Sequence, residues 1–83
     1  MELPKEPVTF APEQLVKLIR TFSECRHNVN NHLTMIIGAA ELVRRKPEMA
    51  ERMSASLTEQ ARKIEGEMKN LSGEFERTLL TRP

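Results

Sequence analysis

"ELVRRKPEMAERM", Glu41 to Met53, decides how this chain of 83 residues folds. Proline lacks a backbone N–H, and its ring drives the residue before it out of the helical region. Lys46 therefore ends one element, and Pro47, well suited to a first helical turn, opens the next. Arg44, Arg45 and Lys46 form the one basic cluster, which reads as a helix C-terminus complementing the dipole.

Upstream of that break, from Pro12, apolar residues recur at Leu15, Leu18, Phe22, Cys25, Val29, Leu33, Ile36, Ala40 and Val43. The steps alternate between three and four, with one extra four that predicts a change of supercoil at Val29 to Leu33. Downstream, a second stripe runs through Ala50, Met53, Leu57, Ala61, Ile64, Met68, Leu71, Phe75 and Leu79. The expected fold is all-α: helix 1 over about 12–45, a turn at 46–47, helix 2 over about 47–80. Each helix is roughly 50 Å long at 1.5 Å per residue, and the short turn forces an antiparallel hairpin over residues 11–80. Ser72 and Gly73 predict a loosened or kinked stretch of helix 2. Residues 1–10, with Pro4 and Pro7 and no periodicity, read as a flexible leader.

A two-helix hairpin cannot cover all of its apolar surface, which includes Ile19, Ile37, Leu42 and Leu80 beside the stripes. The chain is also too short to bury a comfortable core unaided. Pairing two hairpins closes a four-helix bundle, so a homodimer is expected.

Composition removes several classes of function. Net charge is +1, from 13 basic and 12 acidic residues, with no Trp and no Tyr. That leaves neither the basic face nor the stacking rings of a nucleic-acid binder. The single cysteine, Cys25, has no intramolecular disulfide partner and no zinc-ligand spacing, which fits a reducing, cytoplasmic setting. "MELPKEPVTFAPEQ" at the start lacks the basic and apolar runs of a signal peptide. Its longest apolar run, Met35 to Ala40, falls far short of the ~20 residues that span a bilayer, so no membrane contact is expected of this segment.

Within helix 1, "ECRHNVNNHLTMIIGAAEL", Glu24 to Leu42, carries two histidines and three asparagines. Asparagine is a mediocre helix former, because its amide competes for backbone groups. His27 lies two residues from both Cys25 and Val29, about 200° around the helix from each, so it faces water. Asn31, Thr34 and Gly38 continue the same exposed track. His32 adjoins Val29, Leu33 and Ile36 and reads as a core-edge histidine hydrogen-bonded within the bundle. Glu24 and His27 form an ExxH pair, but it points outward and lacks the further carboxylates of a metal-binding bundle, so no metal site is expected. An exposed helical histidine is ordinarily a solvated residue; its chemical alternative is a nucleophile that carries a phosphoryl group. The residues alone leave both open.

"RHNVNNHLTMIIGAAELV", Arg26 to Val43, resembles the H-box of bacterial sensor histidine kinases, in the subgroup written His-Asp-x-Asn-Asn-x-Leu-Thr-x-Ile-x-Gly-x-x-Glu-Leu. The matching positions are His27, Asn30, Asn31, Leu33, Thr34, Ile36, Gly38, Glu41 and Leu42. This resemblance implies a dimerisation and histidine phosphotransfer domain of the HisKA-like kind, a four-helix bundle of two hairpins. His27 would be the phosphoacceptor, and a response-regulator receiver domain the partner that gives or takes the group on an aspartate. Asn31 falls where that family places a residue that orients water for dephosphorylating the regulator.

The chain departs from the pattern at Asn28, where the family has an acidic residue that accepts a proton from the imidazole. An amide cannot serve as that base. Attack on ATP loses that base, while exchange with an aspartyl phosphate, an already reactive donor, is less affected. These residues also hold no Gly-rich loop, P-loop or strand-bearing ATP-binding domain. No cofactor is expected on this chain; ATP and Mg would be bound by a separate or missing kinase domain. The alternative expectation is a homodimeric coiled-coil adaptor derived from such a kinase, with His27 inert.

Overall fold

The computed structural model describes residues 5–80 and is all-helical, with no strand among those residues. Residues 5–11 carry no helix or strand, and the remaining positions of the expected leader, 1–4, lie outside the described residues. α1 spans Pro12–Arg45 and α2 spans Ala50–Leu80, with a one-turn 3-10 segment, Pro47–Met49, between them.

Local chemistry accounts for these limits. Pro12 takes the first helical position, and the Gln14 side chain reaches back to accept the Ala11 N–H at 2.8 Å. That contact is one half of a capping box and satisfies a donor which the first turn leaves orphaned. At the far end Arg44 and Arg45 occupy the last turn. Lys46 still donates to the Leu42 carbonyl at 2.8 Å, but its ψ of 81° takes the chain out of the helix. Helix 2 was expected to begin at Pro47; the structure instead closes the corner with Met49 N–H on the Lys46 carbonyl at 2.9 Å. This i to i+3 bond tightens the turn before α2 starts at Ala50. Ser72 and Gly73 both lie within the continuous α2.

The helices pack antiparallel, as the cross-helix contacts show: Lys17 meets Glu74, Cys25 and Asn28 meet Glu67, and His32 meets Gln60. The molecule measures 56 × 22 × 14 Å, a slab one helix thick.

The seam differs from the expected stripes. Its inward row on α1 is Leu18, Cys25, His32 and Ala39, each seven residues from the last, with Leu18, Cys25 and Ala39 buried. On α2 the buried position is Gln60, with Glu67 one heptad further on. Ala61 and Met68, expected inside, are exposed. Leu15, Phe22 and Leu33 likewise remain 43–48% exposed. The physical reason is angular: a stripe stepping three and four covers a face wider than one neighbouring helix can touch. α2 takes the polar-containing edge of that face and leaves the more apolar edge open.

Both open edges lie on the same side of the slab. Phe22 and Val29 of α1 line one groove with Met68 and Leu71 of α2, rimmed by Arg26 and Asn30. Ile19 and Ile37 are also more than 60% exposed. No helix among the described residues is long and apolar enough to cross a membrane.

Candidate functional site

Five polar residues of Glu24–Leu42 separate into an outward and an inward set. His27 and Asn31 face solvent. They are one turn apart, and the Asn31 amide Nδ2 stands 3.4 Å from His27 Nε2. The two polar groups thus form one exposed pair on the outer face of α1. The His27 ring is exposed, in reach of solvent or of another molecule.

Thr34 follows on the same track, but its hydroxyl is turned back, donating to the Asn30 carbonyl at 3.0 Å. Gly38 is exposed, and a Cβ placed there would meet no heavy atom within 4 Å. Nothing within the hairpin demands a glycine at this position. Beyond His27 the outer surface therefore falls away to a short hydroxyl and bare backbone. Glu41, near the end of the track, is held by Arg44 at 2.8 Å.

Asn28 and His32 point the other way, into the seam. His32 Nδ1 lies 2.6 Å from Gln60 Oε1. A carbonyl oxygen accepts, so Nδ1 carries the proton here, and the buried Gln60 gains the partner its amide oxygen needs. This is the hydrogen-bonded, core-edge position expected of His32. Asn28 Nδ2 donates to Glu67 Oε1 at 3.2 Å, and the Cys25 thiol donates to the Glu67 carbonyl at 3.5 Å. Burial first, and the nearby Glu67 charge second, push the Cys25 thiol pKa up. The thiol is a protonated donor in the seam rather than a nucleophile.

Gln60 and Glu67 were not singled out from the sequence. Neither stands in an apolar stripe. The available signal was their spacing, seven apart and in register with Met53 and Glu74. Among the described residues, no group of three or more His, Cys, Asp or Glu could hold a metal ion, and Glu24 forms no ion pair with His27. No family model, curated protein or solved structure matches the chain.

Proposed function

We propose that this chain is a dimerising histidine phosphotransfer module of two-component signalling, with His27 carrying a phosphoryl group to or from a receiver-domain aspartate. The observation that carries the reading is the outward His27 with the Asn31 amide 3.4 Å from its Nε2, on a helix whose other histidine is bonded to Gln60 in the seam. Group transfer of this kind is mostly positioning and charge stabilisation, so a rigid exposed helix suffices on the histidine side. The His27 electron pair forms the N–P bond while the P–O bond to the aspartate breaks, and that oxygen leaves as the carboxylate. Asn31, beside the same nitrogen, is placed to hold a water against the phosphoryl group when the regulator is dephosphorylated.

Dimerisation belongs to the same reading. Phe22 and Val29, which line the groove with Met68 and Leu71, lie about 140–160° from His27 around α1. A second hairpin seated on that side builds a four-helix bundle and leaves the His27 track uncovered. The receiver domain docks on that track, where Thr34 and Gly38 allow close approach. ATP and Mg are bound by a separate kinase domain, and the setting is the cytoplasm.

One observation favours a second reading, the inert adaptor. Asn28 is held by Glu67, so the position beside His27 supplies no base. The two readings separate on labelling: a phosphoacceptor takes up an acid-labile, base-stable phosphate at His27 from a phosphorylated receiver domain, and an adaptor takes up none.

A further inference from the structure

The open groove carries charges of its own. Arg26 lines it together with Phe22, Val29, Met68 and Leu71. Glu65 precedes Met68 by three residues and lies about 60° round α2 from it, on the outer rim of the same side. Both side chains are exposed, and no ion pair among the described residues includes either. They also share a height. Cys25 meets Glu67 and His32 meets Gln60, so each step up α1 matches one step back along α2, and Arg26 stands within one residue of the level of Glu65, about 1.5 Å along the axis. An apolar face with an unpaired cation on one helix and an unpaired anion at the same height on the other is complementary to itself under a twofold rotation about the long axis.

We propose that Arg26 pairs with the partner's Glu65 across the closed groove, and that these two symmetry-related ion pairs make the chain select a second copy of itself aligned with both corners at the same end. This rests on the reading of the open groove as a dimer interface, and adds to it the residues that fix the alignment. A twofold axis along the helices sets α1 of one hairpin over α2 of the other at matched heights, so each Arg26 faces a Glu65. The end-for-end alternative, centred on the groove, sets α1 over α1. Arg26 sits at the middle of the groove, between Phe22 and Val29, so that arrangement presses the two Arg26 side chains together. Like charges at a closing apolar interface are strongly disfavoured, whereas opposite charges flanking an apolar seam fix partner and orientation more than they add affinity. His27 lies a further 100° or about that round α1 from Arg26, so the pairing leaves it uncovered.

Reversing the charges one at a time tests this. Arg26→Glu and Glu65→Arg are each studied by analytical ultracentrifugation, alone and mixed in equal amounts, and the mixture is weighed by native mass spectrometry. Each variant alone opposes like charges twice and is expected to dimerise at least about tenfold more weakly than wild type. In the mixture both contacts become opposite in sign, so the expected product is a dimer of near wild-type affinity holding one chain of each kind. An attraction between Arg26 and Glu65 within one chain could not be restored by mixing. Both substitutions are on exposed positions, and circular dichroism at high concentration should show wild-type helicity for each. The proposal is overturned if either variant alone dimerises as tightly as wild type, or if mixing recovers no dimer. A wild type that stays monomeric at every concentration removes the dimer interface and this pairing with it, whereas a wild-type dimer indifferent to both reversals removes the pairing alone.

Discussion

His32 Nδ1 lies 2.6 Å from Gln60 Oε1, across the seam and 28 residues away in sequence. The two are the middle rung of the hairpin: Gln60 is buried, and His32 occupies the heptad row between Cys25 and Ala39. A polar rung at this place costs little while both partners are present and much when one is lost.

Removing one partner should therefore be worse than removing both. Gln60→Leu is expected to destabilise the hairpin by about 1–3 kcal/mol, because it leaves the half-buried imidazole N–H unsatisfied. The pair His32→Leu with Gln60→Leu should recover most of that loss. Chemical denaturation of the three variants checks this, and equal losses in the single and double variants would contradict it.

The seam thiol gives the fold an alkaline limit. The Cys25 pKa is raised in the folded state by burial and by Glu67. The folded chain thus holds this proton more tightly than the unfolded chain does. The stabilisation is complete below the unfolded thiol's pKa and is lost as pH rises from there through the raised folded value. Wild type is expected to lose stability relative to Cys25→Ala between about pH 8 and pH 10, where an ordinary thiol ionises. Parallel unfolding curves for the two proteins across that range would argue against a buried thiol.

Much of this was legible in the sequence, and the exceptions share one cause. Pro47 placed the corner and the three-and-four period placed both helices, because backbone chemistry and periodicity act locally. His27 faced out and His32 faced in for the same angular reason. The seam was read in part: Cys25 and Leu18 are buried, and Ile36, Leu57, Ile64, Leu71 and Phe75 are half-buried, but Gln60 and Glu67 were passed over while Ala61 and Met68 are exposed. Apolar periodicity ranks residues by hydrophobicity, whereas this hairpin also sets Gln60 and Glu67 into its seam, bonded to His32, Asn28 and Cys25, beside half-buried stripe residues such as Leu57, Ile64, Leu71 and Phe75. Which edge meets which helix depends on partners distant in the chain, and no local pattern encodes that.

The open apolar edge yields a prediction about assembly. Two hairpins joined on the side of Phe22 and Met68 should give a particle of twice the chain mass of 9.6 kDa. Multi-angle light scattering over a concentration series measures it. Met68→Lys puts a charge on the open groove without touching the inward row, and it should shift the equilibrium towards monomer while helicity is retained at high concentration. Leu33, 43% exposed on the same flank, should respond to Leu33→Asp in the same way. A folded monomer at all concentrations would remove the four-helix bundle.

The central claim, that His27 carries a phosphoryl group, is tested most directly by labelling wild type and His27→Gln with a phosphorylated receiver domain and locating the phosphate by mass spectrometry. The substitution lies on the exposed face, so circular dichroism should place its stability within about 0.5 kcal/mol of wild type. Wild type is expected to take up one acid-labile phosphate on His27, and His27→Gln none. Label that persists in His27→Gln, or a wild type that accepts none from any receiver domain, would contradict the claim and leave the inert adaptor.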